Sequence, residues 1–461
     1  MPFETLGEDV LLKIFCFCDI STVLAVSVIN KPLRRIALSK QLWLSLVLDP
    51  GFRDALDLPP PDRDQLECLS TKELIAVVQN AVAEPVWGES SSSSSVTMTR
   101  FQIPLDDMED CPEAWLLSGA RYILLHSTTQ HTLCIYDVWS ARRVWERPVQ
   151  ARTLCQVDLV PGGAVTRIFF VQTVDHPNTC TLHVEEVDLT TGASHELFNL
   201  SLGSTIFEVK PCAIAGDFLL GTVLHSTQTL ILINWRASIF VSLGRASLCC
   251  IPISSLSILR FCPDAQLIPG HILSTYKEIS PPHAHFLAVT PLGAFSDRWQ
   301  PLTEDDTVLA AQLESGYAHG TIPIKNITTL ERLKYNHWSL TPNFVTATPD
   351  ALHAGAYNIS VYGLQISKRP PRPATLLGRI GNLITGTARR GKASREPAQA
   401  LLLYRFTPEQ GQASSKLRLV SERRVSNLLQ VYCHRAIPMP SGNSISVVYR
   451  QCRQRTGADV A

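Results

Sequence analysis

The chain has 461 residues, 45% of them hydrophobic and 18% charged, with 41 basic side chains against 41 acidic ones. So large an apolar share makes a large buried core feasible and disorder not the default, and the length allows two or three packed domains. The balanced charge leaves no global field that would draw the chain to nucleic acid or to an anionic membrane.

The opening MPFETLGEDV carries acids and no basic segment, unlike a signal peptide. Apolar residues then recur at Val10, Leu11, Ile14, Phe15 and Cys18, the rhythm of one helical face. Asp19 and Ser21 are helix-start residues ahead of a second apolar run, Val23 to Ile29. Asn30 is placed to cap a third helix, Pro32 suits its first turn, and Leu33 and Ile36 continue the apolar face. Leu42 and Trp43 close this three-helix unit. Three helices in about forty residues bury too little surface to stand alone, so part of the apolar face should lie on something else.

The stretch from Leu6 to Trp43 resembles the F-box. That family opens with Leu-Pro, an acidic residue, two aliphatics and an Ile. Here Leu6, Gly7, Asp9, Val10, Leu11 and Ile14 stand in those places, with Gly7 where the family has Pro. The middle of the motif matches Leu24, Val26, Ile29, Asn30 and Lys31, with Asn30 where Cys is common, and the end matches Leu42 and Trp43. The resemblance implies docking onto a Skp-type adaptor and, through it, a cullin, as in SCF-type ubiquitin ligases. The rest of the chain would then present a protein substrate. The residues implied for the core and the adaptor face are Leu6, Val10, Leu11, Ile14, Phe15, Leu24, Ile29, Leu33, Ile36, Leu42 and Trp43, with Trp43 anchoring the end of the module. The other reading of these residues is an ordinary helical cap packed on the rest of the chain.

Pro59, Pro60 and Pro61 mark a joint. Ser70 with Glu73 forms a capping-box pattern, and Leu74 to Val82 continue as a helix over about 71–83. Six serines, Ser90 to Ser95, read as a tether. The expected organisation is therefore a docking module at 1–50, a linker at 51–95 and an all-β domain at 96–461, an α+β multidomain chain.

Beyond Val96 the apolar period becomes two. Thr-Leu pairs at Thr132, Thr181 and Thr229 each open a strand, a polar turn and a second strand, and each follows a further apolar strand, at 122–125, 168–174 and 218–224. Weaker pairs are expected between 271–276 and 286–289, 380–385 and 400–406, 431–433 and 445–449, and in the region of 344–347 and 358–362. A period of about 48 residues with several strands per repeat fits propeller blades, and about 360 residues hold roughly seven of them. Thr97, Thr99, Phe101 and Ile103 alternate as a strand that would close the ring. A pair of irregular β-sandwiches is the structural alternative.

Eight basic residues between Lys368 and Arg395, among them Arg389, Arg390, Lys392 and Arg395, stand without an acid. They suit either an acidic or phosphorylated peptide or a solvated hairpin insertion. His271, His283 and His285 lack a supporting carboxylate or cysteine spacing, so no metal is expected. No GxSxG, HExxH, P-loop or GxGxxG motif is present, so neither catalysis nor a cofactor is expected. Thirteen scattered cysteines without a CxxC pair read as reduced thiols of a cytoplasmic or nuclear protein. The functional readings are a non-enzymatic substrate receptor of an SCF ligase, an F-box scaffold acting outside a ligase, or a propeller enzyme or ligand-binding protein.

Overall fold

A computed structural model of the chain describes residues 6–56, 58, 60–82, 103, 113–117, 119–150, 152–160, 162–175, 178–202, 208–224, 228–245, 265–277, 284–303, 305, 308–309, 312, 328–335, 338–365, 399–408, 415–425, 435–438 and 444–447.

The N-terminal helices are short, and several start on a side-chain cap. α1 (Glu8–Phe15) leads to α2 (Ile20–Ser27), where Asp19 Oδ1 accepts the Thr22 amide at 2.7 Å. α3 (Lys31–Ala37) starts at Asn30, whose Oδ1 accepts the Leu33 amide at 2.9 Å. The unit does not end there. Ser39 interrupts the run, and Leu42 and Trp43 belong to a fourth helix, α4 (Lys40–Leu48), which corrects the three-helix expectation. Asp49 caps α5 (Pro50–Ala55) and Asp62 caps α6 (Arg63–Cys68). The Ser70–Glu73 box opens α7 (Thr71–Val82). Leu74 and Val78 of α7 enter the same core as Leu11, Phe15, Leu42 and Trp43. Each fully buried side chain of that size contributes about 1.5–3 kcal/mol, which is how such short helices persist.

Antiparallel sheets follow. The first comprises β1 (Glu113–Leu116), β2 (Tyr122–Ser127), β3 (Thr132–Asp137) and β4 (Arg142–Pro148). The second comprises β5 (Arg152–Leu159), β6 (Val165–Asp175), β7 (Asn178–Asp188) and β8 (Ser194–Leu202). β9 (Glu208–Ala215), β10 (Phe218–Leu224), β11 (Gln228–Asn234) and β12 (Ile239–Arg245) form the third. The fourth begins with β13 (Ala265–Ile268), β14 (His271–Lys277) and β15 (His285–Pro291). The chain then runs back to lay β16 (Gln300–Pro301) on β12 before β17 (Thr329–Arg332) completes the fourth sheet. The fifth holds β18 (Lys334–Tyr335), β19 (Trp338–Pro349), β20 (Tyr357–Gln365), β21 (Gln399–Thr407) and β22 (Lys416–Val425). β23 (Arg435–Pro438) pairs with β24 (Ser444–Val447).

The Thr-Leu repeats are the third strands, β3, β7 and β11. Each ends on a side chain that holds the next turn. Asp137 Oδ1 accepts the Trp139 amide, Asp188 Oδ1 accepts the Thr190 amide and Asn234 Oδ1 accepts the Ala237 amide, at 3.0, 2.7 and 3.0 Å. One expected pairing is corrected: β21 has β20 and β22 as its two neighbours, so it is not the partner of 380–385, which lie outside the described residues. Of the pairing expected between 431–433 and 445–449, the described part is β24 against 435–438; residues 431–433 lie outside the described residues.

Four buried clusters join the sheets in succession. Leu124, Leu133, Ile168 and Phe170 unite the first and second sheets. Phe169, Val171, Leu219 and Ile233 unite the second and third. Leu220, Leu232, Ala265 and Ile272 unite the third and fourth. Leu273, Leu287, Val361 and Leu402 unite the fourth and fifth. Alternate residues of β6 thus serve two different cores, so the second sheet is covered on both faces. β5, β9, β13 and β19 lie side by side in turn. Sheets arranged in this way are propeller-like. Among the described residues there are five sheets of four or five strands and one two-stranded pair. The spacing of sheets along the chain is uneven: residues 366–398 lie between adjacent strands of the fifth sheet, and the excursion through β16 interrupts the fourth.

One contact between sheets is tunable. Asp158 at the end of β5 accepts the Gly216 amide at 3.0 Å, in the β9–β10 turn of the next sheet. Burial pushes its carboxyl above the usual range; the Gly216 bond and Arg167 offset only part of this. A carboxyl raised in the folded state adds stability below its unfolded pKa and loses it as pH rises through the folded one. Asp158→Asn, whose amide oxygen keeps the Gly216 bond, is therefore expected to raise the melting temperature at pH 7. Calorimetric scans at pH 7 and pH 4 should show that gain shrinking in acid.

Candidate functional site

In α1 and α2 apolar side chains stand at the surface as well as in the core. On α1, Leu11 and Phe15 point into the core, while Val10 and Ile14, four residues apart, line the surface, and Leu6 just ahead of the helix is exposed too. α2 buries Ile20 and Val23 and exposes Leu24 and, one turn on, Val28. Phe17 is 84% exposed, Val28 83%, and Ile29 and Leu38 are also at the surface. Of the twelve exposed large hydrophobics among the described residues, these eight fall between Leu6 and Leu38, and four remain for the whole β region. Exposed apolar side chains scattered singly are ordinary on a protein surface, whereas these are gathered on one short stretch. Exposed Lys13, Lys31, Arg34 and Arg35 share these helices, and Arg35 pairs with Glu8 at 2.7 Å.

The structure divides the residues expected in the core and at the adaptor face of the module. Leu6, Val10, Ile14, Leu24 and Ile29 are at the surface. Leu11, Phe15, Leu33, Ile36, Leu42 and Trp43 are interior to the helical unit. Trp43 does not project as an end anchor: it is 1% exposed, and its Nε1–H donates to the Ala37 carbonyl at 2.9 Å. Phe17, Val28 and Leu38 were absent from the sequence-derived set. Phe17 stands outside the α1 repeat and Leu38 at the end of a helix, so periodicity alone did not bring them out. Gly7 has extended geometry before α1, with φ −61° and ψ 150°, a conformation that Pro would also adopt.

Cys18 and Asp19 lie at the α1–α2 junction. Burial, then the Asp19 charge, push the Cys18 thiol up. Burial would also raise Asp19, but hydrogen bonds from Thr22, Ala354 and Ser21 outweigh it and hold the carboxyl below its usual range. The expected acidic-motif residues Arg389, Arg390, Lys392 and Arg395 lie outside the described residues, as does His283. His271 and His285 occupy opposite ends of the β14–β15 ladder, opposite Pro291 and Lys277, which separates them by roughly 20 Å at strand spacing. They do not converge on one site. Among the described residues no group of three His, Cys, Asp or Glu is placed to hold a metal ion, and no helix is long and apolar enough to cross a membrane.

No protein-family model matches the chain, and no curated protein matches it in sequence. Solved structures similar to it include the WD40 domain of SCAP from fission yeast, at 8% identity and TM-score 0.26, covering 69% of this chain and 77% of that one. Kluyveromyces lactis Hsv2 is similar at 10% identity and TM-score 0.27, covering 66% and 84%. Kuenenia stuttgartiensis hydrazine synthase is similar at 10% identity and TM-score 0.29, covering 65% and 63%.

Proposed function

We propose that the chain is a non-catalytic substrate receptor of an SCF-type ubiquitin ligase, docking a Skp-type adaptor through α1–α3 and presenting a protein target on the β domain. The observation that carries this reading is the exposed apolar set Leu6, Val10, Ile14, Phe17, Leu24, Val28 and Ile29. It falls on the stretch whose residues resemble the F-box, and its opposite side is already satisfied by the helical core. Apolar contacts would supply the affinity, and exposed Lys13, Lys31 and Arg34 favour a partner with an acidic rim. Ubiquitin transfer would take place on other subunits.

The test is capture by the full chain of a purified Skp-type adaptor, followed by addition of a cullin. Retention of both supports the receptor. Adaptor retention with no cullin favours the scaffold outside a ligase. No adaptor retention overturns the proposal.

A further inference from the structure

The four shared clusters join the five large sheets in chain order but leave the fifth and the first without a common core among the described residues. The helical unit touches both. At one end, Ala354 N–H donates to Asp19 Oδ2 at 2.9 Å and Ser21 N–H donates to the Leu352 carbonyl at 3.1 Å. Ala351 and Leu352, in the β19–β20 turn, pack onto the helical core itself. That turn is braced from within the fifth sheet, where Asp350 pairs with Arg405 at 2.6 Å and with His353 at 3.2 Å. At the other end, Asp54 of α5 lies against the β1–β2 turn. A Cβ on Gly119, whose φ is +83°, would stand 2.8 Å from Asp54 Oδ1. Gly163 in the β5–β6 turn, at φ +69°, would stand 3.7 Å from Oδ2. These three turns are equivalent: in the first two sheets each joins the first strand to the second, and in the fifth it joins the long inner strand to its neighbour.

We infer that the helical unit is a clasp between the fifth sheet and the first, which share no core among the described residues, tying the fifth sheet to the first and second at one face. A separate docking arm on a flexible joint would make no such contacts. Two consequences follow. The helices and the β domain move as one body, so a partner held on α1–α3 has a fixed orientation relative to whatever the β domain carries. The face bearing the 117–121, 160–164 and 350–356 turns is also occupied by the chain's own helices, which leaves the opposite face and the rim to ligands. The inference stands whatever protein binds α1–α3.

Hydrogen exchange on the full chain tests it. Leu352→Asp places a charge against the helical core from the fifth-sheet side. If the helices transmit the strain, amides at 117–121 in the first sheet should exchange about tenfold faster, together with those of α2 and α5. Leu352→Ala, milder and expected to fold, should shift the same peptides in the same direction by a few-fold. Gly119→Val should reciprocally speed exchange at 350–356. Exchange changes confined to the mutated turn and its own sheet, in all three variants, would overturn the clasp. Adaptor capture by the same variants keeps this outcome separate from the docking proposal, because none of them alters an exposed residue of α1–α3.

Discussion

Ile14→Asp is expected to abolish capture of a Skp-type adaptor while leaving the chain folded. Ile14 is 36% exposed, and it shares a row on α1 with exposed Val10, away from the core residues Leu11 and Phe15. Ile14 stands outside the helical core cluster, so the fold should survive the substitution with a loss of about 1 kcal/mol from the part of the side chain that is covered. At the centre of an apolar interface the same carboxylate would be desolvated without a partner. Loss of a central anchor typically costs 2 kcal/mol or more, and with the buried charge added the affinity should fall about a hundredfold. Titration of the adaptor against both proteins, with a thermal scan of each, checks the two halves together. Unchanged affinity would show that α1 does not face the partner.

Trp43→Ala should do the reverse, damaging the fold first and binding only as a consequence. Trp43 is among the largest fully buried side chains, and it shares a core with Leu11, Phe15, Ile36, Leu74 and Val78. Truncating a buried Trp costs about 3–5 kcal/mol through lost burial and the cavity left behind. The Nε1–Ala37 hydrogen bond is lost as well, leaving a buried carbonyl at the end of α3 without that donor. Loss of far-UV helical signal and fast hydrogen exchange across 8–48 are the expected readouts. Trp43→Phe restores most of the buried volume and should cost less than half as much. A folded Trp43→Ala that binds poorly would instead place Trp43 in the interface.

The contrast between these two residues shows what the sequence could and could not reveal. Val10, Leu11, Ile14 and Phe15 form two adjacent rows on one helix, and periodicity reports only that both are apolar. Which row turns inward depends on α3, α4 and α7, whose packing is a property of the assembled unit. The caps were legible because their chemistry is local: Asp19, Asn30 and the Ser70–Glu73 pair each bind an amide three residues away or fewer. α4 was not, because its apolar residues run on from α3 and only Ser39 marks the break.

In the β region the third strands were legible through Thr132, Thr181 and Thr229, whose Thr-Leu starts recur at a steady spacing. The first strands escaped. β9 carries Pro211 at an irregularity opposite Gly221, which breaks its pattern, and β5 alternates only over residues 155–159 with no Thr-Leu start to mark it. The return of β16 to the third sheet and the contact of Asp54 with Gly119 link distant parts of the chain, and no local pattern announces them.

The most direct measurement is an isothermal titration of the full chain with a purified Skp-type adaptor at several temperatures. The account predicts one-to-one binding with a negative heat-capacity change, the mark of apolar surface leaving water as Val10, Ile14, Phe17 and their neighbours are covered. No detectable binding, or binding with no heat-capacity change, would contradict it.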